Sequence, residues 1–392
     1  MLPLRGITVV SVEQAVAAPF ATRQLADLGA RVIKIERPGE GDFARAYDSK
    51  VNGLSSYFVW LNRTKESLTL DLKQPEAAGV LAALLERADV FVQNVAPGAA
   101  GRLGTATGDL RARHPGLIVC DVTGFGSSGP YAHEKAYDLL VQAEVGVISI
   151  TGTDETPSKV GISVADIAAG MYAYAGVLSA LIARGQTGRG TAIEVSLFDA
   201  LAEWMSAPMY YTAYGGTPPP RSGAHHASIA PYGPFRTRGG DVVFVAVQNA
   251  REWGRFCAVV LGWPELERDD RFATNSLRVA NRAALDLAIE STLGTLTTGE
   301  LVDRLERASI AHARMNSVSA FLQHPQLVDR DCWREIGSPA GHLRALLPPV
   351  RMDGSSPTMG PVPAVGQHTD AILRELGIER STIVAWRGKG VI

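Results

Sequence analysis

The sequence predicts an α/β fold: a Rossmann-like large domain on a parallel sheet, followed by a smaller α+β domain. Two observations predict it. Short β-branched runs alternate with helical patterns through about the first 200 residues, the signature of parallel strands with helices on both faces. The chain, at 392 residues, is also long for one core, and its texture changes after about residue 205.

Taken in order, ITVVSV (7–12) reads as a strand, PFATRQLADLG (19–29) as a helix and RVIKIE (31–36) as the next strand. SLTLDL (67–72), DVFVQN (89–94) and LIVCDV (117–122) repeat the strand pattern. PEAAGVLAALLERA (75–88) lies between the first two of these as a helix with proline at its start. These elements place a large domain at 1–205, a loop-rich linker with three consecutive prolines at 206–224 and a small domain at 225–325. The small domain opens on a hairpin, FRTR and VVFVAV around Gly239-Gly240, and continues with helices at REWGRFCAVVL, RAALDLAIESTLGTL and TGELVDRLERA. The tail from 330 to 392 carries a helix, HTDAILRELGI (368–378), expected to return to the large domain.

Composition excludes several function classes. Net charge is −2, and the basic residues are scattered rather than striped, which argues against nucleic-acid or membrane surfaces. Cys120, Cys257 and Cys332 are far apart and odd in number, which argues against disulfides or zinc and fits the reducing cytoplasm. The N-terminus shows no signal-peptide pattern. The 24 residues between Lys159 and Arg184 hold one charge, Asp166, but are rich in Ala, Gly, Ser and Tyr. An aspartate inside a membrane costs about 3 kcal/mol, so a buried helix is the better reading.

The familiar motifs fail one by one. The first βα loop, EQAVAAP (13–19), has no glycine fingerprint for a dinucleotide, although Glu36 ends the second strand as a ribose-binding acid does. There is no P-loop and no GxSxG elbow. His225-His226 is the only histidine pair, and no carboxylates stand beside it, so no metal site is expected. More suggestive are GFGSSGP (124–130) after a strand, and separated cations at strand ends: Arg37, Lys73, Arg102 and Lys135. Such cations suit an anionic ligand carrying several phosphates, though each singly is also an ordinary surface charge.

Asp166 admits two readings. Ser163-Val-Ala-Asp166 has the S-x-x-D form of a capping box. The helix it starts would bury Ile167, Met171, Tyr174, Leu178 and Leu181, with Ala169, Gly170, Ala173 and Gly176 permitting close packing. Alternatively, a carboxylate in a first helical turn, ringed by small residues, can attack an acyl carbon, the helix terminus offsetting the effect of burial on its pKa. The two are compatible.

With these residues in place, the chain resembles the family III CoA-transferases, the group holding formyl-CoA, carnitine and bile-acid CoA-transferases and α-methylacyl-CoA racemase. The resemblance runs through PLRGITVVSVEQAVAAPFATRQLADLGARVIKIERPGEGD, NRTKESLTLDLKQPEA and VFVQNVAPGAAGRLG, then GFGSSGPYAHEKAYD, GISVADIAAGMYA, GQTGRGTAIEVSLFDA and VGQHTDAIL. It implies that Asp166 is the nucleophile, carrying CoA as an aspartyl thioester between two acids. It implies CoA contacts at Val16, Ala17, Arg37, Leu70, Lys73, Asn94, Val95, Arg102, Lys135 and Tyr137. It also implies an interlocked homodimer, a large domain completed by the C-terminal segment, and no permanently bound cofactor, CoA thioester being substrate. Racemases of the group carry Gly-His-Asp where this chain has Ala136-Tyr137-Asp138, so proton exchange at Cα lacks a partner. Formyl-CoA transferases have glutamine at Val16 and a glycine-run loop in place of GAHHASIAPYG (223–233), so the smallest acids are not expected. KAYDLLVQAEVGVISITGT and HHASIAPYGPF look most like mesaconyl-CoA C1–C4 transferases, which move CoA within one diacid. Transfer between succinyl-CoA and a diacid such as itaconate is the alternative. Gln14, Arg221, His225 and His226 are the expected grips for the distal carboxylate.

Overall fold

In the computed structural model, which describes residues 2–392, the β-branched runs of the first half form one six-stranded sheet. Its strands are β1 (Thr8–Val12), β2 (Arg31–Glu36), β3 (Glu66–Thr69), β4 (Val90–Gln93), β5 (Ile118–Thr123) and β6 (Ala192–Ser196). The order is β3-β2-β1-β4-β5-β6, and every pairing is parallel. The central strands are buried almost throughout, as helices on both faces require. Those helices include α1 (Ala17–Asp27), α2 (Ser56–Asn62), α3 (Pro75–Glu86), α4 (Ala99–Arg102), α5 (Thr107–Arg113) and α6 (Asp138–Glu144). Pro75 stands in the first turn of α3, where a missing N–H costs nothing.

The strand order reverses between β1 and β4. Because all six strands run the same way, the loops leaving their carboxyl ends share one edge. The crevice outside such a reversal is where open α/β sheets bind ligands.

The chain divides into two compact units. The first comprises Met1–Val145, Gly161–Met205 and Val328–Ile392; the second comprises Gly146–Val160 and Ser206–Leu327. The expected uninterrupted 1–205 is therefore broken at 146–160, a segment holding the short α7 (Val147–Ile150). The reason is local: the Gly223 N–H donates to the Gly152 carbonyl at 2.7 Å, and Arg221 donates to the carbonyls of Thr153 and Asp154, both at 2.7 Å. The expected linker also begins as a helix, following α8 (Val164–Thr187) and α9 (Leu197–Trp204) as α10 (Ser206–Gly215). In the second unit β7 (Tyr232–Arg236) and β8 (Val242–Ala246) form the hairpin, and β9 (Ala311–Arg314) joins them antiparallel. Helices α11 (Ala250–Arg255), α12 (Asn275–Ala280), α13 (Arg282–Leu293) and α14 (Thr298–Ala308) complete that unit, α11 running into a wider π-helical stretch over Phe256–Leu261.

In the first unit the tail returns to the sheet. Ile372, Leu373, Ile383, Val391 and Ile392 enter the core formed by Val10, Ile33, Leu68 and the buried side of α3.

Helix α8 corrects the expected burial pattern. Its buried residues are Ala165, Ala168, Ala169, Gly170, Ala173, Val177 and Ala180, the small stripe. Met171 is 38% exposed, and Ile167, Tyr174, Leu178 and Leu181 are only partly covered. The cause is the close approach of α1: a Cβ on Gly170 would stand 2.7 Å from the Ala17 carbonyl oxygen. The larger side chains are left on the outer side. Among the described residues α8 is the one helix with the length and composition to cross a membrane.

The contact at Gly170 makes a test. Gly170→Ala forces either α1 or α8 to move, and overpacking of this kind costs about 1–3 kcal/mol. Denaturant unfolding of the variant is expected to show that loss, whereas Gly185→Ala on the same helix, where added Cβ meets nothing within 4 Å, should not lose stability.

Candidate active site

The first loop is built by hydrogen bonds to its own backbone. Asn94, just past β4, accepts from the Gln14 N–H at 2.9 Å and donates to the Gln14 carbonyl at 2.9 Å. The Ala15 N–H donates to Asp42 Oδ1 at 3.1 Å, and Ala15 sits at φ 60°, the conformation a glycine would normally supply. In dinucleotide folds such amides face the pyrophosphate. Here the amides of Gln14 and Ala15 are already committed, which gives the missing glycine fingerprint a physical meaning.

The cations expected at strand ends are placed along one edge. Arg37 follows β2, Lys73 follows β3, Arg102 ends α4 after β4, and Lys135 follows β5. All four are exposed. Arg37 Nη2 reaches Gln14 Oε1 at 3.4 Å. Val95 is partly buried, and Tyr137 is 62% exposed immediately before α6. Val16, Ala17 and Leu70 differ: their side chains are buried in the unit's interior, so only their backbones can meet a ligand. Asn94 is similarly engaged through both side-chain groups with Gln14.

Asp166 stands in the first turn of α8, partly buried. The capping box is not formed: Ser163 makes no side-chain cap bond. The cap comes from Asp138, whose Oδ1 accepts from the N–H groups of Ala165 (2.8 Å) and Asp166 (3.3 Å). Its Oδ2 accepts from Gln142 at 2.6 Å. The helix terminus does not hold Asp166 at a low pKa, as first expected. Burial, with the Asp138 carboxylate adding, pushes its acid up to about 7.

Two groups near Asp166 carry no sequence signal of their own. One is Asp138, masked beside Tyr137. The other is Tyr47, whose phenol is pushed up to about 12 by burial and by Asp42, Asp166 and Tyr137. It is therefore a neutral donor at ordinary pH. Tyr47 packs on Tyr57 edge to face at 5.5 Å and on Phe43 at 5.7 Å, and Tyr57 leads on to Trp60. The only hint was an aromatic shortly after the Gly-Asp at 41–42.

Of the four expected carboxylate grips, Gln14 belongs to the first unit and Arg221, His225 and His226 to the second. Gln14 faces Arg37 on the first unit. Arg221 staples its own loop: Nε, Nη1 and Nη2 donate to the backbone carbonyls of Thr153, Ser149 and Asp154. His225 is partly buried, its ring edge-on to Phe235 at 6.1 Å and its Nδ1 against Gly233, where a Cβ would meet it at 2.3 Å. His226 is exposed and stacked on Tyr232 at 5.2 Å. Among the described residues no three His, Cys, Asp or Glu side chains cluster as metal ligands.

A cavity of about 660 Å³ lies at the carboxyl ends of β4 and β5, flanked by Ala192–Glu194 of β6. Gly124–Ser127 form one wall, with Glu194 tying the Ser127 N–H and hydroxyl. The small residues of GFGSSGP thus do bring backbone up to open space.

The sequence profile described as CoA-transferase family III matches residues 4–369. A succinyl-CoA:glutarate CoA-transferase of Mus musculus is 32% identical over 96% of this chain and 87% of its own. A succinyl-CoA:mesaconate CoA-transferase of Haloarcula hispanica is 31% identical over 97% of this chain and 98% of its own. The crystal structure of a CAIB/BAIF family protein from Brucella suis superposes with a TM-score of 0.83 at 34% identity, covering 95% and 99% of the two chains.

A raised acid has a measurable sign. If Asp166 reacts as the carboxylate, kcat/KM falls on the acid side of about pH 7. Asp138→Asn keeps an oxygen for the cap but removes the like charge, so the acid limb should move to lower pH. A limb that stays put shows that Asp138 does not act on Asp166 electrostatically.

Proposed function

Because the chain belongs to CoA-transferase family III, we propose that it moves CoA between short dicarboxylic acids, with Asp166 as the covalent carrier. The observation that carries this reading is an acid in the first turn of α8, among small residues, with its backbone tied to Asp138.

The Asp166 carboxylate attacks the thioester carbonyl of the donor, and CoA leaves as thiolate, giving a mixed anhydride. The thiolate attacks the Asp166 carbonyl and expels the donor acid, leaving an aspartyl-CoA thioester. The acceptor carboxylate attacks that thioester, and the thiolate returns to the acceptor's carbonyl, restoring Asp166. Arg37, Lys73, Arg102 and Lys135 hold the phosphates. The backbones of Val16, Ala17 and Leu70, with Asn94, Val95 and Tyr137, line the path of the CoA. Tyr47 donates to the acyl oxygens. Gln14, beside Arg37 on the first unit, is kept as a grip for the distal carboxylate.

Transfer from succinyl-CoA to a second C4–C5 diacid is the preferred form, since the named relatives carry out transfers of that type. Intramolecular transfer within mesaconyl-CoA is the second reading, favoured by the segment HHASIAPYGPF and by the high effective concentration of a retained diacid. Racemization is disfavoured by Tyr137 at the histidine position. The working form is a cytoplasmic homodimer. The outward Met171 and Ile182 on α8 support it, as do Tyr210, Tyr211 and Tyr214 on α10, all exposed. Interlocking of the two chains follows from the family resemblance.

The reading is tested with CoA esters and free diacids followed by mass spectrometry. Succinyl-CoA alone should leave a CoA adduct on Asp166 that hydroxylamine removes. Asp166→Ala should lose the adduct and at least roughly 10³-fold in kcat; full activity in that variant ends the proposal. Mesaconyl-C1-CoA supplied alone decides between the two forms. Conversion to the C4 ester without a second acid selects the intramolecular one.

A further inference from the structure

Beneath the first loop lies a set of charged side chains fully withdrawn from water. Lys34, Lys65, Glu13 and Asp42 are all buried, two of each sign. Lys34 Nζ donates to Asp42 Oδ2 at 2.6 Å and to Asn62 Oδ1 at 3.1 Å. Lys65 Nζ donates to Glu13 Oε1 at 2.7 Å, to the Pro19 carbonyl at 3.0 Å and to Asn62 Oδ1 at 3.1 Å. Burial opposes the Lys34 ammonium, but Asp42, Glu13 and Glu36 outweigh it and raise its pKa. Such pairs contribute little net stability, because desolvation consumes most of the attraction. What they fix is geometry.

Asp42 is the member whose bonds lead out of the set. Its Oδ1 accepts from the Ala15 N–H at 3.1 Å and from the Ala44 N–H at 2.9 Å. Ala15 is the residue at φ 60°, a conformation that a residue with a Cβ holds only when its surroundings dictate it. Ala44 lies in the single 3₁₀ turn Phe43–Ala46 that delivers Tyr47. The Asp42 N–H donates to Glu36 Oε1 at 3.0 Å, and Glu36 also takes Arg45 through Nε (2.9 Å) and Nη2 (2.8 Å). One carboxylate thus spans two segments that are far apart in function.

We propose that Asp42, oriented by Lys34, is a positioning residue that sets both walls of the cleft at once: the 14–16 backbone on the CoA side and Tyr47 on the acyl side. The proposal rests on the reading of that loop as CoA-facing.

The test compares Asp42→Ala with the double variant Lys34→Met/Asp42→Ala, using the full chain. Asp42→Ala removes the acceptor of the Ala15 and Ala44 amides, strands a buried ammonium and should lower Tm. The double variant removes that ammonium and should regain much of the Tm. It should still bind free CoA about tenfold more weakly, the worth of one charge-assisted hydrogen bond. Its kcat should fall together with that affinity, since Tyr47 is released as well. Calorimetry with free CoA needs no particular acid, so it is independent of which diacid is the substrate. A double variant with wild-type CoA affinity and kcat overturns the proposal, and one that does not fold assigns the pair to folding and overturns it too. Hydrogen exchange on the wild type adds an independent check: the Ala15 amide should be protected without ligand, and free exchange there also overturns it. A wild-type chain that binds no CoA would instead remove the CoA reading of the loop on which the proposal stands.

Discussion

The Ala17 carbonyl, at the first turn of α1, occupies the space where any Cβ on Gly170 would stand. That contact sets how far the first loop lies from Asp166. Ala17 is the residue after Val16, at the end of the loop that Asn94 and Asp42 hold, and Gly170 is one helical turn beyond Asp166. With two backbones this close, little in between can adjust. The small residues of α8 therefore do more than fill a core: they turn a helix–helix packing distance into the spacing between the first loop and Asp166. The larger side chains of α8 are displaced outward as a consequence, which leaves the first unit with apolar surface that a lone chain does not cover.

The buried charges beneath the loop obey a different logic. Burying ions in balanced pairs gives little stability, and apolar residues of similar size would pack as well. Apolar residues, however, offer no acceptor for the Ala15 and Ala44 amides. A carboxylate can take both, and it needs a fixed cation to stay oriented. Glu36 repeats the arrangement one layer away. Burial works against its charge, but Arg45, Lys34 and Ser67 together bring it down to about 2, and it receives the Asp42 amide. Rigid backbone at the edge of a parallel sheet has been obtained here from side chains rather than from glycines.

That substitution explains what was legible in the sequence and what was not. Five of the sheet's six strands were read, β2 to the residue, because β-branched runs between helices depend on local propensity; β6 was not read. The four cations were legible as residues that follow strands, whose carboxyl ends must share an edge. Asp166 stood out as a lone charge in an apolar run. Its cap did not, since Asp138 lies 28 residues earlier and only the tertiary fold brings it to α8. Periodicity misjudged which face of α8 is buried, because the rule that large apolar residues point inward fails when two helix backbones touch. Arg221 looked like a free cation and is consumed by three carbonyls, a commitment that composition cannot reveal.

The raised pKa of Asp166 bears on the proposed chemistry in a way a mere nucleophile would not require. In the mixed anhydride, thiolate has two carbonyls to attack. Attack at the acyl carbonyl expels Asp166; attack at the Asp166 carbonyl expels the substrate acid. The better leaving group is the weaker base. An aspartate near 7 is a poorer leaving group than an ordinary aliphatic carboxylate at about 4.3. The anhydride therefore partitions toward the aspartyl-CoA thioester. The same preference operates from the acceptor's side, since that anhydride also expels the substrate acid more readily than Asp166. In the proposed mechanism both half-reactions then lean toward the enzyme-held thioester. Such a state lets the donor depart and a different acid enter without loss of CoA to water, provided the cleft excludes water meanwhile. Under that proposal the like charge of Asp138 has a role, since it adds to the rise that keeps Asp166 the poorer leaving group.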